Sequence, residues 1–272
     1  MIVPGRLHVA QNVGKGAPNA FAVERQALLL DRLRANGRLE TTALAQEFGL
    51  STETIRRDLI ALERAGSLHR VHGGAVAEAA RGIVPDVHQR GSLMTAEKQA
   101  IADLAVELVP AAALVLIDAG TTTQAFARVY PLDRATTVVT PSLTVATTLL
   151  ERSAATVHTL GGDVSLRTWS EGGTWTLRAL ESITADVVFL GCSGFSADQG
   201  ATTSDSVDCD VKRAMVSSSR RRIMLADSSK IGSRHLASFA ELRQIDVLVT
   251  GRRADLRERE RIAAAGVDVR IA

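Results

Sequence analysis

Two adjacent arginines, Arg56 and Arg57, offer the clearest nucleic-acid chemistry in the sequence. A guanidinium group donates two parallel hydrogen bonds to guanine O6 and N7, and it also pairs with phosphate oxygens. Nearby hydroxyls and a basic segment downstream complete the candidate DNA-binding set, which consists of Thr52, Thr54, Arg56, Arg57, Arg70 and His72. The alternative is a solvated helix face on which the two arginines only pair with neighbouring carboxylates, those of Glu53, Asp58 and Glu63.

Residues 118–123 form a second candidate, whose chemistry suits an anion. Asp118, Gly120 and three successive threonines (Thr121, Thr122 and Thr123) lie where an apolar strand should end and a helix begin. Free backbone N–H groups, the helix dipole and three hydroxyls can together hold a phosphate. Capping of the helix is the alternative, but a cap needs one such residue rather than four. The sequence contains no GxxxxGK[ST] or GxGxxG motif, so a nucleotide motif is not the explanation.

Other polar residues follow further strands or stand out by their rarity. Lysine and arginine together number 32, and only four of them are lysines. A lysine is a point charge on a flexible stem, which suits a phosphate, and paired glycines let a backbone approach a ligand closely. The additional candidates for effector binding are Ser142, Gly161, Gly162, Lys212, Asp227 and Lys230. Paired glycines are equally typical of a tight turn, lysines of a protein surface, and Lys230 can instead pair with Asp227.

Two further motifs are set aside. Gly191–Gly194 is not a nucleophile elbow, because its second glycine directly follows the serine. His69 and His72 lack the cysteine or carboxylate that would complete a zinc set. We therefore expect no catalytic residue, no metal and no cofactor.

Three short helical patterns and two extended pieces position the arginines. The first helix is predicted over Val23–Ala35, and only Gly49–Ser51 separates the second helix from the third, which ends at Gly66. Two helices joined by such a turn are typical of a helix-turn-helix motif, whose second helix enters the major groove. His72–Gly74 lies between two extended pieces and predicts a hairpin. The segment is therefore predicted to be a winged helix-turn-helix.

Strand and helix patterns alternate beyond residue 95. Strands are predicted at Leu114–Ile117, Thr137–Thr140, Thr156–Leu160, Asp186–Leu190, Arg222–Ala226, Ile245–Val249 and Val267–Ile271. This alternation indicates a largely parallel sheet covered on both faces, with ligands at the carboxyl ends of its strands. The predicted fold class is α/β, with a winged helix-turn-helix domain followed by a larger Rossmann-like domain. The predicted boundaries are a disordered extension at 1–22, the DNA-binding domain at 23–78, a linker at 79–94 and the α/β effector-sensing domain at 95–272.

Composition excludes several classes of protein. The 272 residues carry a formal net charge of +2, which disfavours sequence-independent DNA binding through many phosphate contacts. Six Phe, two Trp and one Tyr are too few for a protein that stacks single-stranded bases on aromatic rings. No apolar run approaches the ~20 residues of a membrane span, no signal peptide is recognisable, and the two cysteines have no CxxC spacing. We expect a cytoplasmic protein.

Several motifs together carry a resemblance to a known family. They are Leu44–Ala75, which contains the run Thr54–Leu59 and the His72–Ala75 wing, and downstream Glu97-Lys98, Asp118–Thr123, Leu160–Gly162, Val211–Met215 and Ala226–Lys230. Over about residues 23–272 the sequence resembles the DeoR-type bacterial transcriptional regulators. The resemblance implies that the carboxyl-terminal domain is similar to sugar-phosphate isomerases and senses phosphorylated sugars or related metabolites. The sequence departs from the family pattern at Pro141, where asparagine is usual, at Asp208–Asp210, where glutamate is favoured, and at Gly251, where aspartate is usual.

These observations predict a sequence-specific transcriptional regulator of carbohydrate metabolism, a repressor rather than an activator. Its expected partners are a double-stranded DNA operator and a phosphorylated sugar or related effector, and no membrane. Because one helix-turn-helix reads about half a site, we also expect a homodimer or a higher homo-oligomer. The first alternative is a sugar-phosphate isomerase-like enzyme in which Lys212 and Asp118 transfer protons. The second, a non-specific structural DNA-binding protein, is disfavoured by the near-neutral charge.

Overall fold

The computed structural model describes residues 22–36, 38–64, 68–71, 73–76, 93–131, 136–152 and 155–272. The chain divides into two units, Met1–Ile83 and Val84–Ala272, and the described residues of each have their own apolar core. The expected extension 1–22 lies outside the described residues except for Ala22, and the expected linker 79–94 except for Leu93 and Met94. The domain boundaries stay predictions.

Helices and a small sheet make up the described part of the first unit. Its elements are α1 (Ala22–Asn36), β1 (Arg38–Glu40), α2 (Thr41–Phe48), α3 (Thr52–Arg64), β2 (His69–Val71) and β3 (Gly74–Val76). Apolar residues spaced three or four apart turn one stripe of each helix towards a shared core of Leu29, Leu33, Leu44, Phe48, Ile55, Leu59 and Leu62. Gly49 ends α2 with a φ of 64°, which glycine adopts without strain. The predicted helix-turn-helix is confirmed.

The three strands of this unit form an antiparallel sheet in the order β1-β3-β2. β2 and β3 are the predicted hairpin, whereas β1 was not predicted. A Cβ atom at Gly74 would lie 1.9 Å from the main-chain oxygen of Leu39, so only glycine lets β1 and β3 approach this closely. Three residues between two helices are too few for an alternating pattern to be recognised.

Seven parallel strands form the main sheet of the second unit, in the order β15-β14-β12-β9-β4-β5-β6. They are β4 (Leu114–Ile117), β5 (Thr137–Thr140), β6 (Thr156–Thr159), β9 (Ala185–Leu190), β12 (Ser219–Ala226), β14 (Val247–Thr250) and β15 (Asp268–Ile271). Each of the seven predicted strands is found, with ends shifted by three residues at most. The α/β class is confirmed.

Helices cover both faces of this sheet. They are α4 (Thr95–Val106), α5 (Thr121–Val129), α6 (Leu143–Arg152), α7 (Thr174–Glu181), α8 (Ser206–Ser217) and α9 (Leu256–Ala264). The first three share one core cluster, represented by Ile101, Phe126 and Val145. The last three share the other cluster, represented by Leu180, Met215 and Ile262. No helix among the described residues is long and apolar enough to cross a membrane.

Short antiparallel strands are added beside the carboxyl edge of the sheet. β7 (Asp163–Ser165) and β8 (Ser170–Gly172) form a hairpin after β6, while β10 (Gly194–Ser196), β11 (Gly200–Thr203) and β13 (Ala237–Ala240) form a second small sheet after β9. These strands were not predicted, because segments of three or four residues rich in Gly, Ser and Thr carry no clear alternation. They frame the edge at which the predicted effector residues lie.

Candidate DNA-binding surface and effector site

Helix α3 begins with a serine cap and presents a polar face. The Ser51 Oγ atom accepts a hydrogen bond from the Thr54 backbone N–H (3.1 Å) and lies 2.9 Å from the Thr54 Oγ1 atom. Because Ile55 and Leu59 point into the core, Thr52 and the two arginines remain exposed. Thr54 is half-buried, and its hydroxyl belongs to the cap. The predicted DNA-facing residues of α3 therefore share one accessible face, apart from Thr54.

The carboxylates that were candidates to neutralise the arginines are mostly engaged elsewhere. Asp58 receives hydrogen bonds from Arg25, whose pKa is raised by that hydrogen bond. Among the described carboxylates, Glu53 is the one that approaches the pair, at 3.9 Å from Arg56 and 3.7 Å from Arg57. These two arginine side chains are 62% and 79% exposed, so such contacts contribute little. The geometry favours a DNA-facing role over a self-neutralised helix face.

Arg70 lies in β2 and joins the hairpin to α3. Its Nε atom donates to Glu63 Oε2 at 2.7 Å, and its backbone N–H donates to Glu63 Oε1 at 3.0 Å. The side chain is 42% exposed, so it can meet a phosphate while anchored. A cleft of about 130 Å³ between the helices and the hairpin is lined by Thr41, Thr42, Thr52, Arg56, Leu59, Arg70, Gly73 and Gly74. His72 lies outside the described residues.

An ion pair between Asp118 and Lys212 occupies the centre of the second unit's carboxyl edge. Asp118 follows β4 and is 1% exposed, and Lys212 in α8 is 3% exposed. The Lys212 ammonium donates to Asp118 Oδ2, to the Gly191 carbonyl at 3.3 Å, and lies 3.6 Å from Asp208 Oδ1. The Gly191 N–H also donates to Asp118 Oδ2, at 2.8 Å. Two residues 94 apart in sequence thereby join β4, β9 and α8.

Burial and charge act together on this pair. Burial disfavours the charged ammonium of Lys212, but the carboxylates of Asp118 and Asp208 outweigh it and raise the pKa of Lys212. Burial raises the pKa of Asp118, against the lowering effect of the Lys212 ammonium. The buried charge of each residue is therefore stabilised only while the other residue is present. The charges of both side chains are already compensated by protein groups. Lys212 is therefore less available to an anionic ligand than the scarcity of lysine in the sequence suggested.

Lys230 differs from Lys212 in having a free charge. It ends a 3₁₀ turn, Ser228–Lys230, that follows β12 and is capped by Asp227 through the Ser229 N–H (3.1 Å). Among the described residues, no hydrogen bond or ion pair of the Lys230 ammonium is found, and the alternative pairing with Asp227 is not formed. Lys230 is half-buried. It is a cation available to an anionic ligand.

Both lysines lie within electrostatic range of the Cys192 thiol. Burial raises the pKa of the Cys192 thiol to about 12, while the ammonium groups of Lys230 and Lys212 act in the opposite direction. Asp227 and Asp118 also act on this thiol. Four of the predicted effector residues, which lie on α8, directly after β4 and in the turn after β12, therefore carry charges that act on the Cys192 thiol.

The turn Gly120–Thr123 lies against the same site. α5 begins at Thr121 with Gly120 as its N-cap, and no side chain caps it. Thr123 donates its hydroxyl to the Gly120 carbonyl at 3.0 Å, and Thr122 and Thr123 are buried. A Cβ atom at Gly191 would lie 3.6 Å from both the Ala119 carbonyl oxygen and Asp118 Oδ2, so the loop after β9 packs on this turn. Asp118 is not the helix cap, and the capping alternative does not explain this segment.

Ser142 and the paired glycines have structural partners. Ser142 Oγ caps α6 by accepting from the Val145 N–H at 3.2 Å. Gly161 donates its N–H to Glu171 Oε2 at 2.8 Å and accepts from Thr176 Oγ1 at 2.6 Å. A Cβ atom at Gly162 would lie 2.4 Å from the Gly172 carbonyl oxygen, which demands glycine. These three residues follow β5 and β6 rather than β4, and their role in ligand binding stays a prediction.

Sequence reasoning missed two features of this edge. Asp208 lies one helical turn before Lys212, and this four-residue spacing was a usable signal for their proximity. The Thr250 hydroxyl, at the carboxyl end of β14, is fully buried and has no hydrogen-bond partner among the described residues. No sequence pattern distinguishes it.

Comparisons with known proteins agree with this two-part organisation. Residues 25–80 match the DeoR-like helix-turn-helix domain, and residues 93–252 match the DeoR C terminal sensor domain. The chain is 34% identical over 246 residues to the HTH-type transcriptional regulator GlpR of Haloferax volcanii, covering 90% of this chain and 96% of that protein. It is also 34% identical over 240 residues to the HTH-type transcriptional repressor GlcR of Bacillus subtilis, covering 85% and 89%.

Among solved structures, the full-length sorbitol operon regulator SorC from Klebsiella pneumoniae aligns with 85% of this chain and 96% of its own. The TM-score is 0.41 and the identity 12%. Both family matches and the two sequence relatives lead to the same assignment. The chain belongs to the DeoR family of transcriptional regulators.

Proposed function

We propose that this DeoR-family protein is a repressor of carbohydrate metabolism that leaves its operator when a phosphorylated sugar binds the second unit. The observation that carries the proposal is the half-buried Lys230, whose ammonium has no hydrogen bond or ion pair among the described residues and which follows β12 at the same carboxyl edge as the Asp118–Lys212 pair. A phosphate there would neutralise Lys230 and accept hydrogen bonds from the uncapped N-terminus of α5.

Operator binding is assigned to α3 and the β2–β3 hairpin. Arg57 is the most exposed of the candidate arginines and the best placed to read a base edge, with Arg56 beside it. Arg70 is held by Glu63 and suits a phosphate contact, which fixes orientation rather than sequence. Because one such surface reads about half a site, a homodimer or higher homo-oligomer is part of the proposal, as is a cytoplasmic location.

An isomerase activity is less well supported by this geometry. Lys212 would have to accept a proton as a general base, yet its pKa is raised by the two carboxylates beside it, so it stays protonated. Asp118 accepts hydrogen bonds from Lys212 and from the Gly191 N–H, which occupy its Oδ2 atom. The family assignment gives the isomerase alternative no support. Assays of pentose and hexose phosphate turnover should show no isomerisation.

The test of the sensor is Lys230→Ala, with Arg220→Ala as the matched control. Arg220 is an exposed cation near the amino end of β12, so its loss removes the same charge from the opposite edge of the sheet. A hydrogen bond to a charged group contributes about 1.5–3 kcal/mol, so Lys230→Ala should weaken sugar-phosphate binding by about 10- to 150-fold. Calorimetric titration with a panel of pentose and hexose phosphates measures this directly.

A gel-shift assay on the operator completes the experiment. Lys230→Ala should bind operator DNA as the parent does but fail to release it at effector concentrations that release the parent and Arg220→Ala. The unphosphorylated sugars should have little effect on any variant. A responsive ligand without charge, or a Lys230→Ala variant that responds like the parent, would contradict the proposal.

A further inference from the structure

We propose that Glu97 is the positioning residue of the effector site, because it holds the effector loop (Asp227–Lys230) against the first helix of the second unit. The proposal rests on the proposed function, in which Lys230 receives the anion of the ligand. Glu97 itself does not touch the ligand. It fixes the loop on which Lys230 is carried, and it passes a displacement of that loop to α4.

Both oxygens of Glu97 bind a single residue of the effector loop. Oε1 accepts the Ser228 backbone N–H at 2.7 Å, and Oε2 accepts the Ser228 hydroxyl at 3.0 Å. Ser228 lies between Asp227 and Lys230, so the carboxylate restrains the 3₁₀ turn at its start. Hydrogen bonds to an ionised acceptor are about twice as strong as neutral ones. A contact between residues 131 apart in sequence therefore fixes the loop.

Gly251 makes this contact possible. A Cβ atom at position 251 would lie 1.8 Å from Glu97 Oε1 and 2.3 Å from Glu97 Cδ. Any side chain at this position would therefore displace the carboxylate. The atoms in the way are the far end of a flexible side chain and not backbone, so the displacement costs the fold little. Gly251 follows β14, next to the strand that leads into the effector loop.

The residue after Glu97 fixes the start of the same helix. The Lys98 side chain is buried, with 5% exposure, and its ammonium donates to the Leu93 carbonyl at 2.7 Å. The described part of the second unit begins at Leu93. One turn of α4 thus binds the effector loop through Glu97 and the incoming chain through Lys98. A ligand that binds Lys230 therefore acts on a loop that Ser228 joins to Glu97 and to α4.

Two substitutions break the contact by independent routes. Glu97→Gln removes the charge of the carboxylate. Gly251→Ala displaces that carboxylate, although residues 97 and 228 keep their native side chains. Each should weaken binding of the sugar phosphates that bind the parent, tested with inorganic phosphate alongside, by about tenfold. Because both act on one contact, the double variant should also lose about tenfold and not a hundredfold. Glu107→Gln, an exposed carboxylate at the end of α4, is the matched control and should bind as the parent does.

Two further readouts separate positioning from general damage. The thermal midpoint and the operator affinity without ligand should stay close to those of the parent in both variants. Hydrogen exchange at the Ser228 amide, measured without ligand, should be about tenfold or more faster in both variants and unchanged in Glu107→Gln. Unchanged exchange in Glu97→Gln, or ligand losses that multiply in the double variant, would overturn the proposal. If the parent binds no phosphate at all, the proposed function fails, and the exchange measurement alone decides the role of Glu97.

Discussion

Replacing Lys212 with methionine tests whether the buried ion pair supports the fold or only serves the ligand. Asp118 is 1% exposed, and the substitution leaves its carboxylate with one hydrogen bond from the described residues, that of the Gly191 N–H at 2.8 Å. Removing one partner of a buried pair costs about 3–5 kcal/mol, because the remaining charge is uncompensated. For a unit of this size, each kcal/mol lowers the thermal midpoint by roughly 2–4 °C, so the expected fall is roughly 6–20 °C. Lys212→Ala and Asp118→Ala are therefore poor tests of effector binding.

The assay is thermal and urea unfolding of the parent, Lys212→Met and the double variant Asp118→Asn/Lys212→Met. The double variant should recover most of the stability, because the buried Asp118 no longer carries an uncompensated charge. The pKa of Asp118 is already raised by burial, and loss of the ammonium raises it further. Between the raised pKa of the folded state and the ordinary pKa of the unfolded chain, the folded Lys212→Met variant binds more protons, so its stability should increase as the pH falls through the raised pKa. A loss below 1 kcal/mol, or a double variant as unstable as the single one, would refute this reasoning.

Three further predictions follow from the described contacts. Arg57→Ala should weaken operator binding by about 1–3 kcal/mol in a gel shift and relax specificity at one base, with Arg128→Ala in α5 as a control that binds normally. Gly74→Ala should disrupt the β1–β3 pairing, because its Cβ atom would lie 1.9 Å from a main-chain oxygen. Where the isolated first unit of the parent is folded, circular dichroism should show that the same unit with Gly74→Ala has lost structure. Cys192 should react slowly with iodoacetamide at pH 8 and faster at higher pH, since its surroundings raise the pKa of its thiol to about 12. Fast alkylation at pH 8 would contradict this raised pKa.

The fold was predictable where periodicity extends over enough residues. The strands Leu114–Ile117 and Thr137–Thr140 are short apolar runs between helical patterns, and both occur where predicted. β1 and the strands beyond the carboxyl edge were not predictable, because a segment of only three or four residues becomes a strand only when a neighbouring segment pairs with it. Gly74 illustrates the point, since the reason for its glycine lies in the main chain of Leu39, which sequence alone does not place beside it.

The site was predictable as a set of residue types at strand ends, but not as a set of contacts. Asp118 and Lys212 were both predicted to bind the ligand, and in the structure they form an ion pair with each other. Ser142 was predicted to bind the ligand for the same reason, and in the structure it caps α6. A residue at a strand end can serve either purpose, and only the positions of distant partners decide between them. Glu97 belongs to a motif shared with the DeoR-type regulators, but nothing in its local sequence indicates a contact with Ser228.

The scarcity of lysine becomes informative once the partners of each side chain are known. The buried pair of Asp118 and Lys212 contributes almost no net charge, and its hydrogen bonds already end on protein groups. In the proposed mechanism an incoming phosphate is therefore attracted by Lys230 and by the N-terminus of α5. An unphosphorylated sugar would engage neither source of attraction. Discrimination between the two ligands then depends on the N-terminus of α5 and on Lys230, whose loop Glu97 holds in place. Stability and ligand response are thereby assigned to different lysines, which is why they can be separated by substitution.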